Sequence, residues 1–219
     1  MFNEAMTLTI SEIIESRGIE RIVHFTTNLG ALGVLATKSL KSRARLREDE
    51  LLVNVAKLNA KDRSRDAKWH DFVNLSITNI NTSFFGASAW EHRDKDYWWC
   101  ILAFDSTILT HAGVWFATTN NMYSGVVQKQ GADGLNALFS PTVTQWHSYK
   151  EHRMVTRSDS FSANKTTCLQ SEVLYPGEIS TQYLRTIYVK DYESADELSG
   201  QIAAVAHPRV TIEVRPDLF

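Results

Sequence analysis

Cysteine and long apolar runs are both scarce in this sequence, and each scarcity excludes a class of protein. Only two cysteines, Cys100 and Cys168, occur among the 219 residues, and their separation fits no metal-binding spacing. A reduced, cytoplasmic protein without a disulfide framework is therefore expected. No apolar run approaches the roughly 20 residues of a membrane-spanning helix, and the acidic start MFNEAMTLTI is unlike a basic secretory leader. These features predict a soluble intracellular protein that does not contact a membrane.

The common motifs for binding phosphates and metals are also missing. GALGVLA, residues 30–36, lacks the glycines and the lysine of the two common phosphate-binding loops. The seven histidines show no H-x-x-x-H spacing and no accompanying carboxylate pair, so no metal is expected. The formal net charge of -2 gives no bulk electrostatic case for nucleic acid, although a local basic patch is compatible with it.

The length and the 43% hydrophobic content predict a single domain, residues 1–219, with a substantial core. Near the N-terminus the apolar spacing predicts an amphipathic helix ending at Gly18, the strand RIVHFT, and a second helix with Thr26 or Thr27 as its N-cap. The charged segment 41–69 is expected to be a loop, a short helix and another loop.

Beyond Phe72 the sequence changes to runs of β-branched and aromatic residues that predict strands. These runs are FVNLSITNI, YWWCILAF, HAGVWFATT, CLQSEVLY, TQYLRTIYV and TIEVRPDL. ADELSGQIAAVA predicts a helix, and the polar segment 120–165 predicts a long loop with one short helix around GLNALF. The expected class is α+β, with a mainly antiparallel sheet.

A first candidate site is HFTTNL, residues 24–29. A histidine at a strand end, followed at once by a helix N-terminus, places an imidazole beside free backbone N–H groups. That combination suits a ligand carrying ribose hydroxyls and phosphate. The alternative is a histidine hydrogen-bonded within the core, which the sequence alone favours.

Two arginines form a second candidate site. Arg63 and Arg65 lie just before a strand and could converge on a diphosphate, because guanidinium groups match such oxygens. The alternative is a solvated loop in which they pair with Asp62 and Asp66.

A third candidate lies in CLQSEVLYPGEIS, residues 168–180, where a glutamate interrupts an apolar strand. Strand alternation places Gln170, Glu172 and Leu174 on one face. A carboxylate facing a cleft can stabilise positive charge on a sugar or accept a proton. The alternative is an edge-strand glutamate that faces water.

Taken in order, RIVHFTTNLGALGVLATKSLKS, the arginines ahead of FVNLSIT, VWFATTNNMYSG and LQSEVLYPGEIS resemble the DarT family over about residues 15–190. That family comprises bacterial toxin ADP-ribosyltransferases that modify nucleobases in DNA, usually beside a macrodomain antitoxin. The resemblance implies the ADP-ribosyltransferase fold, in which a split, mainly antiparallel sheet with flanking helices holds NAD in its cleft. It also implies a bacterial toxin or anti-phage effector with a macrodomain-type antitoxin.

The resemblance implies a role for each matching residue. Glu172 falls on the catalytic glutamate, and Arg65 or Arg63, with Arg65 preferred, falls on the catalytic arginine that fixes the diphosphate of NAD. His24 falls on the histidine that holds the adenosine-side ribose. The other implied NAD contacts in the nucleotide-binding turn are Phe25, Thr26, Asn28 and Leu29.

On the acceptor side, the resemblance places Gln170 beside the catalytic glutamate, where it and the segment 120–165 would select the substrate. Stacking or phosphate contacts are expected from Tyr123, Trp146, His152 and Arg157, although any one of the four taken alone is more often an ordinary loop residue than a contact; Asn120 is a further expected substrate-binding residue. Single-stranded DNA is the expected acceptor and RNA the second. A protein side chain is an alternative because Gln-x-Glu also occurs in enzymes that modify proteins, and a non-catalytic NAD sensor is a further one.

The strand FVNLSITN and the short spacing after His24 depart from the commoner family pattern, so the modified base stays open.

Overall fold

A computed structural model describes residues 8–48, 68–148 and 151–219. Its helices are α1 Ile10–Arg17, α2 Asn28–Thr37, α3 Arg43–Glu48, α4 Thr82–Glu91, α5 Gly131–Ala137 and α6 Tyr192–Ala204. Its strands are β1 Arg21–Thr27, β2 Ser39–Lys41, β3 Phe72–Ile77, β4 Trp99–Asp105, β5 Trp115–Ala117, β6 Gln128–Gln130, β7 Thr142–Ser148, β8 Glu151–Thr156, β9 Glu172–Pro176, β10 Glu178–Ser180, β11 Leu184–Val189 and β12 Thr211–Val214. None of the helices in these ranges is long and apolar enough to cross a membrane.

Eight strands form one sheet in the order β12-β11-β4-β1-β3-β9-β5-β6. Every neighbouring pair in it is antiparallel except β11 and β12, which run parallel. Two small sheets, β10 with β2 and β7 with β8, stand apart from it. The prediction of an α+β fold with a mainly antiparallel sheet is confirmed.

The main sheet is split at its centre, between β1 and β3. These strands pair only at Ile22 with Ile77 and at Val23 with Ser76, whereas β1 pairs with β4 along all seven of its residues. Beyond Val23 the two halves of the sheet therefore diverge. Buried backbone N–H and C=O groups need hydrogen-bond partners. Where β1 and β3 no longer pair, side chains must therefore provide these hydrogen bonds.

Apolar side chains cover both faces of the half that contains β1 and β4. A large core on one face includes Ile22, Leu102 and Phe104, and a smaller one on the other face contains Val23 and Ile101. The central strand β4 is accordingly buried along its middle five residues. This double burial makes β1 a rigid support for the residues that follow it.

The two N-terminal helices form where the sequence predicts them. Thr9 and Glu12 make a reciprocal capping box at the start of α1, and Gly18 ends it in the left-handed conformation, with φ of 62°. Thr27 caps α2, since its hydroxyl accepts a hydrogen bond from the backbone N–H of Gly30 at 3.2 Å.

Three predictions about local structure were wrong. The segment 120–165 contains the predicted short helix, which is α5, but it also contains β6 and the β7–β8 hairpin, which were predicted as loop. Helix α4 was not predicted, although Asn81 caps it by accepting from the N–H of Phe84 at 3.1 Å. Residues 168–171 form a turn rather than a strand, because the hydroxyl of Ser171 donates to the carbonyl of Cys168 at 2.6 Å. The predicted helix within ELLVNVAKL lies outside the described residues.

A matched pair of glycine substitutions tests the packing at the start of α2. A Cβ atom on Gly30 would collide with the hydroxyl oxygen of Thr26, whereas one on Gly200 in α6 would meet nothing within 4 Å. We expect Gly30→Ala to lower the free energy of unfolding by about 1–3 kcal/mol through overpacking. Gly200→Ala should raise it by about 0.5–1 kcal/mol because alanine is the better helix former. Urea denaturation measures both, and equal effects would contradict the close contact at Gly30.

Candidate active site

Glu172 is the first residue of β9, and donors on Asn74 and Asn121, both in the described part of the chain, bond to its carboxylate. Its Oε1 accepts from the side-chain amide of Asn74 on β3 at 3.3 Å, and its Oε2 accepts from the backbone N–H of Asn121 at 2.8 Å. Both strands that flank β9 therefore contribute to its position, because Asn121 follows shortly after β5. Donors on both oxygens stabilise an ionised carboxylate in one orientation.

His24 lies on the opposite side of the split and contacts the same asparagine. Its Nδ1 donates to the backbone carbonyl of Asn74 at 2.9 Å, which is the only role available because a carbonyl cannot donate. Burial lowers the pKa of His24, and the hydrogen bond to Asn74 opposes that shift in part. A neutral imidazole held in this way presents an unprotonated Nε2, which can accept a hydrogen bond from a hydroxyl group.

The turn after His24 carries a buried acceptor without a donor. The side chain of Asn28 is part of a residue only 8% exposed, and its Oδ1 has no hydrogen-bond partner in the described part of the chain. Its backbone N–H donates to the carbonyl of Trp98 at 2.9 Å, which fixes the turn against β4. Buried polar atoms are nearly always paired, so the free oxygen of Asn28 fits a ligand that brings a donor, such as an amino group or a hydroxyl of NAD.

The other residues predicted to contact NAD differ in their location and in their burial. Thr26 is buried beside Gly30 in the same turn, and Leu29 is exposed on the first turn of α2. The ring of Phe25 packs in the smaller core, edge-on to Phe85 with 5.4 Å between ring centroids. Its side chain therefore stabilises the fold on the face of β1 away from His24. Arg63 and Arg65 lie outside the described residues, so their role stays a prediction.

Gln170 is joined to the hairpin rather than to β9. Its Oε1 accepts from Nε2 of Gln145 at 2.5 Å, and Oε1 of Gln145 accepts from Nε of Arg153 at 3.0 Å. Because this hydrogen bond uses the amide oxygen of Gln170, the group that can bind a ligand is its NH₂, which has two N–H donors. The turn at residues 168–171, and not strand alternation, brings Gln170 near Glu172.

The remaining predicted acceptor contacts are spread between this site and the protein interior. Tyr123, in the loop between β5 and β6, packs on Trp146 of the hairpin, and Nε2 of His152 on the hairpin donates to the carbonyl of Ser124 in the same loop at 3.0 Å. Asn120 shapes the loop before them, because its Oδ1 accepts from the N–H of Met122 at 3.0 Å.

Arg157 uses its donors within its own loop. Its guanidinium donates to the carbonyls of Lys165 and Ser162 and lies over the rings of Phe139 and Phe161. These contacts indicate that it organises the segment leading to Cys168 rather than the hairpin surface.

Sequence reasoning missed the residues that orient the predicted ones. Asn74 stands at a polar position of the alternation in FVNLSI, and asparagine is depleted in strands, so its position was a detectable signal. Asn121 and Gln145 act through a backbone N–H and a side-chain amide in polar segments, where no pattern distinguishes them. Within residues 8–48, 68–148 and 151–219, no three His, Cys, Asp or Glu side chains are grouped to hold a metal.

The lowered pKa of His24 predicts a loss of stability in mild acid. The unfolded chain takes up a proton at this residue before the folded one does, so the stabilising contribution is complete above a pH of about 6.5 and falls below it. Between pH 7 and 5 the unfolding free energy of the wild type should fall more steeply than that of His24→Gln, because the variant lacks this titrating group. The two slopes should differ by up to about 1.4 kcal/mol per pH unit. Urea titrations at several pH values measure this, and parallel curves for the two proteins would contradict it.

Comparison with known proteins identifies the family and the fold. The family model described as "ssDNA thymidine ADP-ribosyltransferase, DarT" matches residues 22–219. Thermus sp. 2.9 DarT in complex with NAD+ superposes with a TM-score of 0.61 at 15% identity, covering 92% of this chain and 98% of that one. The same protein in complex with ADP-ribosylated ssDNA gives 0.59 at 12% identity, covering 92% and 97%.

A longer relative shares the fold as well. Thermosipho africanus DarTG in complex with ADP-ribose gives a TM-score of 0.57 at 15% identity, covering 91% of this chain and 51% of that one. No curated protein matches the chain. These structures show that the split sheet is the DarT fold, and the family match extends over nearly the whole sequence. The chain therefore belongs to the DarT family of single-stranded DNA thymidine ADP-ribosyltransferases.

Proposed function

We propose that this protein transfers ADP-ribose from NAD to the base of thymidine in single-stranded DNA, with Glu172 as its catalytic residue. The observation that carries the proposal is the connection across the split sheet, where Asn74 contacts both Glu172 and His24. A carboxylate and a neutral imidazole are thereby fixed at the two sides of one cleft. The similar Thermus sp. 2.9 protein, in complex with NAD+ and with ADP-ribosylated ssDNA, supports the choice of both substrates.

The residues of β1 and α2 would hold the adenosine half of NAD. Nε2 of His24 accepts a hydrogen bond from a ribose hydroxyl, and the buried Oδ1 of Asn28 accepts from a second donor of the nucleotide. Arg65, or Arg63, fixes the diphosphate through its guanidinium. These contacts place the bond between nicotinamide and ribose next to Glu172.

Glu172 then acts on both the bond that breaks and the bond that forms. As the ribose C1′–nicotinamide bond breaks, its electron pair goes to nicotinamide, and the carboxylate offsets the positive charge left on the ribose. Thymidine has a single ring N–H, and that nitrogen forms the new bond to C1′. Its proton leaves to the carboxylate, which the hydrogen bonds from Asn74 and Asn121 keep in position.

Gln170 would select the base. Its amide oxygen is occupied by Gln145, so it presents N–H donors to the cleft. The two carbonyl oxygens of thymine flank its ring N–H and are acceptors, so a donor on Gln170 matches the reacting edge. Uracil in RNA carries the same edge, and discrimination against RNA would rest on the methyl group of thymine and on the 2′-hydroxyl.

The biological role belongs to the same proposal. A bacterial toxin or anti-phage effector in the cytoplasm, restrained by a macrodomain-type antitoxin, fits an enzyme that modifies DNA. The similarity to Thermosipho africanus DarTG, a longer chain in complex with ADP-ribose, supports the antitoxin part.

The first test measures transfer to separate pools. Labelled NAD is incubated with single-stranded DNA, with RNA and with cell-extract protein. We expect label on the DNA that is removed by nuclease and not by protease. Glu172→Gln should lower transfer by about 10²- to 10⁴-fold, because the substitution removes the charge and the proton acceptor.

Glu213→Gln is the matched control, since Glu213 is exposed on the edge strand β12, and it should leave transfer unchanged. Label on protein alone would overturn the acceptor. Full activity of Glu172→Gln would overturn the catalytic residue.

A second test concerns Gln170. Gln170→Glu replaces N–H donors by acceptors, which face the carbonyl oxygens of thymine unfavourably. We expect transfer to thymidine to fall by about 5- to 150-fold, corresponding to about 1–3 kcal/mol of base discrimination. Hydrolysis of NAD without DNA should persist, because water and not a nucleobase accepts the ADP-ribose in that reaction. Gln130→Glu, an exposed glutamine on β6, is the control. Equal losses of hydrolysis and transfer in Gln170→Glu would show that Gln170 serves NAD rather than the base.

A further inference from the structure

We propose that Tyr123 and Trp146 form a stacking platform for the base next to the target thymidine. The inference rests on the proposed function and extends it, because it assigns the path of the DNA strand as it leaves the catalytic cleft. The four residues concerned, Tyr123, Trp146, His152 and Met154, are called the hairpin face below.

The alternation of β7 turns Trp146 outward. Val143 and Gln145 point inward and are buried, Gln145 being 6% exposed, whereas Trp146 is 36% exposed. On β8 the residue opposite Trp146 is His152, and Met154 lies further along the same face with 60% of its surface exposed. Large apolar side chains that only complete a core would be covered, so this exposure needs another explanation.

The loop between β5 and β6 lies across this face and completes it. The ring of Tyr123 packs on Trp146 with 5.3 Å between centroids and 46° between planes. The next residues fix the loop there, because Ser124 bonds to His152 and Gly125, at a φ of 82°, lies against His152. The two rings are thus held together by the fold before any ligand binds.

Two short connections tie the platform to Glu172. Asn121, which donates to the carboxylate, is two residues before Tyr123. Gln145, which is adjacent to Trp146, bonds to Gln170, two residues before Glu172. The aromatic pair therefore has a fixed relation to the reacting carboxylate from both sides.

A nucleic acid strand matches the chemistry of this face. Aromatic side chains stack on any base, and a base that neighbours the target must leave the cleft close to Glu172. Arg153 pairs with Gln145 in the register and therefore lies on the other face of the hairpin, where its Nε donates to Gln145. Trp90 provides a contrast, because it is 67% exposed on α4 and lies under the guanidinium of Arg93.

Fluorescence anisotropy tests the platform without catalysis. The probe is a fluorescein-labelled ten-nucleotide single strand with one central thymidine, measured without NAD so that no transfer occurs. We expect Trp146→Ala and Tyr123→Ala each to weaken binding by about 5- to 150-fold. Trp146→Phe keeps an aromatic face and should bind within about threefold of the wild type. Trp90→Ala, which removes an equally large exposed ring elsewhere, should bind as the wild type does.

A second strand with abasic residues on both sides of the thymidine identifies stacking as the cause. On this strand the wild type should bind as weakly as Trp146→Ala binds the intact strand, and Trp146→Ala should show no further loss. Urea denaturation should show that every variant is fully folded under the assay conditions, which separates lost stacking from lost folding.

Two results would overturn the platform and favour a protein partner for the hairpin face. In one, Trp146→Ala binds the intact strand as tightly as the wild type does. In the other, the substitution weakens binding of the intact and the abasic strand by the same factor. Failure of the proposed function is a different result: the wild type would transfer no label to DNA, whatever the variants bind.

Discussion

The site depends on the divergence of β1 and β3 after only two residue pairs. The divergence opens the cleft, but it also leaves backbone groups without a strand partner. Asn74 lies at this point of divergence: its backbone carbonyl, which has no backbone partner on β1, accepts a hydrogen bond from the side chain of His24, and its own side chain donates one to Glu172 beside the cleft. One residue in the split thus orients an imidazole on one half of the sheet and a carboxylate on the other. The cleft is therefore held open and aligned by the same two hydrogen bonds.

The two sides of the cleft are built differently. The side proposed to bind NAD follows β1, which is covered on both faces by apolar cores, and its polar residues Thr26 and Asn28 are buried. The side proposed to bind the acceptor consists of a turn and a two-stranded hairpin with exposed side chains. A small, invariable co-substrate can be recognised by a rigid pocket. A flexible polymer needs an open surface that it can reach from solution.

The sequence alone predicted the parts of the structure that carry local patterns. The glycine stop of α1, the β-branched strands and the unusual positions of His24 and Glu172 are all visible as residue types at given spacings. The hairpin was missed because its inward positions include Gln145, so no apolar alternation marks it. The turn before Glu172 was missed because the two hydrogen bonds that close it, from the backbone N–H and the hydroxyl of Ser171 to the carbonyl of Cys168, leave no repeating pattern in the sequence. The role of Asn74 could not be assigned, since its contact with His24 is made by the backbone, which every residue has.

The β7–β8 hairpin is a separate two-stranded sheet, joined to the cleft through Gln145 and through the loop that carries Tyr123. Its outward residues can therefore be exchanged without disturbing the main sheet or the orientation of Glu172. In evolutionary terms, the recognition of the acceptor proposed for the hairpin can diverge while the chemistry is retained. Members of one enzyme family could acquire new preferences for flanking bases through a handful of changes on this one surface.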